Sequence, residues 1–246
     1  MQKLVELAKK RFEERKSQQI NYTGIRESDA FVNDIEKHPH AYVLACLMNR
    51  QVQYERAEKI PYDVCQEIGS QKISDLANLS EKEYIDIFEK KRLHRFNETM
   101  AKIFHKAVLR IRDEYENDAS KIWSGNPSSS SVVYRFLQFN GSGIKISTMA
   151  ANILARDLKV PLSDYYSIDI SPDVHVRRVM GRLYQIDKNA TDLIIYKARE
   201  LNPDYPGIID LSCWEIGRDF CKPTNPNCKD CIVRDECKSK DETNSK

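Results

Sequence analysis

The chain has 246 residues, with 39 Lys and Arg against 37 Asp and Glu, a formal net charge of +2, and only 8 Gly. That length accommodates one large domain or two small ones with real cores. Glycine at about 3% of residues, against a usual ~7%, argues against strand-and-turn architectures and phosphate-binding nucleotide folds. The balanced charge by itself points to no nucleic-acid partner.

Helical periodicity runs along the chain. Residues 2–18 place Leu4, Leu7, Ala8 and Phe12 on one stripe, and a loop with Asn21, Thr23 and Gly24 follows. Ala41 to Met48 reads as a buried helix, and residues 53–68 continue helically, with Pro61 kinking or restarting the helix. Ser80-Glu81-Lys82-Glu83 forms a capping box for a helix through Phe88. The basic stretch KKRLHR at 90–95 precedes a long helix from Asn97 to Tyr115. Residues 117–131 form a loop ending in a serine run, a solvated segment and N-cap for a short apolar helix over 132–138. After FNGSG, a helix sets Ile146, Met149, Ala150, Ile153 and Leu154 on one face, with Lys145, Thr148 and Asn152 as a polar stripe off it. Residues 159–172 read as irregular. A helix from Val174 buries Val176, Val179, Met180 and Leu183, two more follow around 191–200 and 207–218, and the tail after Cys237 is polar.

Cys221, Cys228, Cys231 and Cys237 are spaced C-x6-C-x2-C-x5-C. Four thiolates so close in sequence can converge on one inorganic centre, either tetrahedral zinc or an iron–sulfur cluster. Zinc sites usually pair two short knuckles, and here only one C-x2-C occurs. Cys213 lies outside the quartet and reads as a small buried residue. The stretch IGRDFCKPTNPNCKDCIVRDEC resembles the cluster loop of the endonuclease III family of DNA glycosylases, including the Gly217-Arg218 pair before the first cysteine. That resemblance implies a [4Fe–4S] cluster on these four cysteines, mainly structural. Lys222 and Lys229 would be presented to the DNA backbone, or are simply solvated lysines.

Phe139-Asn140-Gly141-Ser142-Gly143-Ile144-Lys145 sits between two helices. Two glycines there permit a tight turn and leave amides open at a helix N-terminus, which favours a phosphate. The segment resembles the helix-hairpin-helix of the same superfamily, in which Gly141 and Gly143 would serve the DNA backbone without reading sequence. A lysine two positions after the second hairpin glycine marks members that also cut the strand, and Lys145 stands there. Two departures are visible: Ser142 replaces an apolar residue and Asn140 a common Pro.

Asp173-Val174-His175-Val176-Arg177-Arg178-Val179 resembles the segment that carries the family's essential carboxylate, Asp173. An ordinary N-cap is the competing role. Asp169 is a rival carboxylate without the His-Val pattern after it. The 28 positions from Lys145 to Asp173 exceed the spacing in familiar members, which places an insertion in KVPLSDYYSIDISP. Tyr165 or Tyr166 would then border the base pocket or fill core. Gln51 in LMNRQ resembles the residue that fills the gap left by an extruded base, and Leu93 a second wedge. Lys90, Lys91, Arg92 and Arg95 form a basic patch suited to phosphates or a solvated face.

The expected fold is all-α with two helical lobes. A six-helix barrel-like lobe over 30–158 ends with the hairpin, and residues 1–29 with 159–246 form the cluster lobe. DNA is expected across the groove between lobes, with Lys145 and Asp173 facing each other. The expected function is a base-excision glycosylase that flips out a damaged base and nicks the abasic site, acting as a monomer on damaged or abasic double-stranded DNA. A glycosylase without strand cleavage and a non-catalytic iron–sulfur DNA-binding protein are the alternatives. No apolar run reaches the ~18 residues that span a bilayer, and the first residues lack a signal-peptide core. A cytoplasmic location, nucleoid-associated in a prokaryote, is expected, without a membrane partner.

Overall fold

The computed structural model describes residues 3–14 and 20–239. The predicted first helix beyond Glu14 and the polar tail from 240 fall outside the described residues. Among those described, every regular element is a helix. In chain order these are α1 (Lys3–Glu14), α2 (Arg26–Asn33), α3 (Pro39–Met48), α4 (Tyr54–Ile68), α5 (Ile73–Leu76) and α6 (Glu81–Lys91). The remainder are α7 (Asn97–Tyr115), α8 (Ser129–Leu137), α9 (Ile144–Arg156), α10 (Val174–Tyr184), α11 (Thr191–Leu201) and α12 (Asp210–Asp219). Three short 3₁₀ turns join them. No helix among the described residues is long and apolar enough to cross a membrane.

The chain forms two compact units, and the boundary between them falls inside α9. The hairpin unit comprises Ser17–Pro127 with Ser131–Ala150; the cysteine unit comprises Met1–Lys16, Ser128–Ser130 and Ala151–Lys246.

The hairpin unit is built on α3, which is buried along its whole length because nine of its ten residues are apolar or small and it meets α2, α4 and α7. Helix α7 contributes Met100, Phe104, Val108 and Ile111 to that core. Pro61 neither breaks nor restarts α4, which runs continuously to Ile68. The predicted capping box forms, with Ser80 and Glu83 each bonding the other's backbone, and α6 extends to Lys91. Two helices escaped the periodicity: α2 buries only Ser28, Phe31 and Val32, and α5 is one turn.

In the cysteine unit α10 packs on α12. The contact requires Gly217, because a Cβ there would stand 2.7 Å from the His175 Cβ. Helix α1 lays Leu4, Val5 and Ala8 against the 3₁₀ turn at Pro206–Ile209 and pairs Arg11 with Glu215. The irregular segment 159–172 is docked by its backbone: the Gly207 amide donates to the Ile168 carbonyl at 2.7 Å. Asn152 ties this point to the end of α9, donating to the Gly207 carbonyl at 2.7 Å and accepting from the Tyr205 hydroxyl at 2.6 Å. The polar stripe expected on α9 is therefore not an exposed one: Thr148 and Asn152 are each 1% exposed. Only Lys145 of that trio stands in solvent.

Candidate functional site

The hairpin is anchored from below by aromatic packing. Phe139 is buried, lies parallel to Tyr115 with ring centroids 6.1 Å apart, and contacts Phe136. The chain then turns through Gly141 at φ +80°, where a Cβ would stand 2.7 Å from the Ile103 Cδ1. Gly141 is thus demanded twice, by its left-handed backbone and by close approach. Gly143 has open space around it and an ordinary φ. The amides of Gly143, Ile144 and Lys145 meet no acceptor among the described residues; the next satisfied ones are Ser142 to Phe139 before them and Ser147 to Gly143 after. Open N–H groups at the positive end of a helix attract an anion. The departure at Ser142 has a local compensation, since its hydroxyl lies 2.9 Å from that of the buried Ser147. Lys145 projects from the first turn of α9, exposed, and its ammonium meets no carboxylate among the described residues.

Asp173 caps α10. Its Oδ1 accepts from the amides of His175 and Val176, both at 2.8 Å. Its Oδ2 accepts nothing among the described residues, so one carboxylate oxygen is left for another partner. Asp169 is arranged the opposite way: Arg199 donates Nε and Nη2 to its two oxygens at 2.8 Å each. A carboxylate closed by a bidentate pair has no oxygen to offer a substrate. Tyr165 is half-buried, stacked on Tyr205 at 5.0 Å and edge-on to Phe12 at 5.9 Å, while Tyr166 is exposed.

Cys221, Cys228, Cys231 and Cys237 line one pocket with Arg182, Phe220 and Arg234. Burial, then the neighbouring thiols, raises the Cys231 and Cys237 pKa values, so loading a metal centre would expel protons from them. No three His, Cys, Asp or Glu side chains among the described residues are arranged to hold a single metal ion. Four thiols lining one pocket are a donor set that an iron–sulfur centre takes. The donor set and its spacing therefore fit such a cluster. Cys213 is fully buried outside this group, and burial lifts its thiol well above the usual range.

Two residues that the sequence did not single out hold the cysteine loop. Arg178 and Arg182 stand one turn apart on α10. Arg178 donates to the carbonyls of Cys221 and Gly217. Arg182 donates to the Lys222 and Pro223 carbonyls and, at 3.4 Å, to the Cys221 Sγ. The i, i+4 arginine pair following Asp173 was the available signal. Lys222 and Lys229 are exposed on the loop.

Gln51 is exposed and lies at φ +56°, a region few side-chain-bearing residues adopt. Leu93 is only 5% exposed, and its carbonyl accepts from the Arg56 Nε at 2.8 Å. A wedge must be exposed to enter a base stack, and Leu93 in this conformation is not. Lys90 and Lys91 both pair with Glu67, whereas Arg92 and Arg95 have no ion pair among the described residues and Arg95 lies over the Phe96 ring.

No protein-family model matches the chain. Endonuclease III of Thermotoga maritima is 33% identical over 69 residues, a stretch covering 28% of this chain and 32% of that protein. The chain thus aligns with about a third of the length of this curated relative. Among solved structures, a non-covalent endonuclease III–DNA complex superposes with a TM-score of 0.66 at 16% identity, covering 99% of this chain and 95% of the other. A trapped covalent endonuclease III–DNA intermediate, the estranged-adenine complex, gives 0.63 at 16% identity over 97% and 94%. A thermostable thymine-DNA glycosylase gives 0.64 at 11% identity over 98% and 97%. The chain has the all-helical fold of these proteins.

Proposed function

We propose that this chain is a DNA glycosylase of the endonuclease III kind, which excises a damaged base and then cleaves the strand at the resulting abasic site. Two observations, one in each unit, carry this assignment. A turn with three open amides leads directly into an exposed, unpaired Lys145, and Asp173 caps a helix with one oxygen while leaving the other free.

The target bond is hidden inside duplex DNA, so the nucleotide must be extruded first. The open amides of 143–145 hold a backbone phosphate without reading sequence, and Gln51 fills the vacated space in the stack. Departure of the base builds positive charge on the sugar, which the Asp173 carboxylate stabilises. The Lys145 amine attacks C1′. The new N–C1′ bond replaces the glycosidic bond, and the base leaves with a proton. Opening of the sugar ring then breaks the C1′–O4′ bond, O4′ takes up a proton, and the resulting Schiff base acidifies C2′; loss of the C2′ proton expels the 3′ phosphate and nicks the strand. Cys221, Cys228, Cys231 and Cys237 would hold a [4Fe–4S] cluster, whose contribution is to fix the loop carrying Lys222 and Lys229. The likeness to both endonuclease III and a thymine-DNA glycosylase leaves the lesion open to assay.

Borohydride reduction in the presence of abasic duplex tests this assignment. A covalent protein–DNA complex is expected, and Lys145→Ala, folded and with its cysteine loop intact, is expected to lose it. Undiminished trapping in that variant would remove Lys145 from the reaction. Release of base without nicking or trapping would instead identify a glycosylase in which Asp173 activates water.

A further inference from the structure

One face of α10 opens onto a groove of about 590 Å³ beside the cysteine loop. The volume is within the usual range of ligand sites. Its cations are Arg177, Arg178 and Arg182 from the helix and Lys188 from the turn after it, with Asn189 beside them. No carboxylate lines it, and none of the four cations has an ion-pair partner among the described residues. Gly181 makes the arrangement possible. A Cβ there would stand 2.9 Å from the Ile186 carbonyl, so only glycine lets the turn fold back and bring Lys188 beside the helix. Arg178 and Arg182 are immobilised by backbone carbonyls, which removes the rotamer entropy that an arginine ordinarily loses on binding. The side chains of Arg177 and Lys188 have no hydrogen-bond acceptor among the described residues.

The chemistry of the groove selects its ligand. Four positive charges and no carboxylate call for a polyanion. No aromatic ring lines it, so a nucleobase has nothing to stack on. We propose that this groove binds the phosphodiester backbone of DNA, as a contact separate from the open amides of the hairpin and from Lys222 and Lys229. The proposal rests on the chain acting on DNA.

The test measures duplex binding by fluorescence anisotropy across about 50 to 200 mM salt, the range in which phosphate contacts are most visible. The probes are an abasic-analogue duplex and the same duplex without the lesion. Arg177→Gln combined with Lys188→Gln is expected to reduce the slope of log affinity against log salt by about 1 to 2 and to weaken both duplexes by a similar factor. If the double variant does not fold, Lys188→Gln alone, at an exposed position, is expected to reduce the slope by about 1. Unchanged slope and affinity in a folded variant would overturn the groove. The two assignments fail separately. A reduced slope in the variant, with no base released by the wild type from any lesion, keeps the groove and loses the glycosylase assignment. Base release with an unaltered slope does the reverse.

Discussion

Asp169 and Asp173 stand four residues apart and have opposite circumstances. Arg199 occupies both oxygens of the first, and the start of α10 occupies one oxygen of the second. The His-Val pattern following Asp173 distinguished the two in the sequence; Arg199, 30 positions downstream of Asp169, could not be read there. The hairpin glycines separate in the same way. Gly141→Ala must take up φ +80° and push against Ile103, and is expected to cost about 1–3 kcal/mol in a denaturant titration. Gly143→Ala meets open space at an ordinary φ and is expected to stay within about 1 kcal/mol of wild type. Equal losses would mean that the hairpin tolerates or rejects side chains for some reason other than backbone geometry. The sequence marks both glycines alike, because close approach of Ile103 is a tertiary fact.

Helix α10 combines a side-chain cap, a buried stripe and the contacts that hold the cysteine loop. It begins on Asp173, buries Val176, Val179, Met180 and Leu183, and holds the cysteine loop with Arg178 and Arg182. The buried stripe was legible from its 3.6-residue period. The arginines were not, because an i, i+4 pair of cations on a helix ordinarily reads as a solvated face, and the carbonyls they satisfy lie some 40 residues away. Arg182→Met keeps the aliphatic stem and removes the donors to Lys222, Pro223 and the Cys221 Sγ. Faster proteolysis within 221–237 is expected, with α1 to α9 protected as in wild type. Unaltered cleavage of that loop would show that the cysteines hold it without the arginine. The polar residues of α9 are the converse lesson. Thr148 and Asn152 look exposed by helical phase, yet Asn152 is consumed by Gly207 and Tyr205. Helical phase assigns a face, and only the docking of 159–172 determines what covers it.

At the scale of the molecule, stability should depend on pH through two buried groups of the hairpin unit. Glu58 is 1% exposed, its two oxygens have no hydrogen-bond partner, and burial pushes its pKa up to about 8 from an ordinary 4.5. The folded state therefore keeps a proton that the unfolded state has lost, and stability present below about pH 4.5 falls as pH rises toward 8. His40 acts from the other side. Burial, then the nearby His38, lowers its pKa to about 4 from 6.5, so stability falls as pH drops between those values. Glu58→Gln is expected to remove most of the decline in Tm between about pH 5 and 8. A decline as steep as in wild type would place its origin elsewhere. Neither group was visible in the sequence, where a Glu in an amphipathic helix reads as exposed. The helical class, by contrast, was legible from periodicity and from scarce glycine. The net charge of +2 conceals an uneven distribution: Glu67 pairs with Lys90 and Lys91, whereas the groove beside α10 has no acidic partner.

The most direct measurement of the central claim is base release from a panel of single-lesion duplexes, wild type against Asp173→Asn, under single-turnover conditions. Asparagine caps a helix as well as aspartate does, so the variant removes the charge and keeps the fold. Release of at least one damaged base by the wild type is expected, with a loss of at least about 100-fold in the variant, the scale of an electrostatic stabiliser at a reacting bond. No release from any duplex, or equal release by both proteins, would contradict the claim.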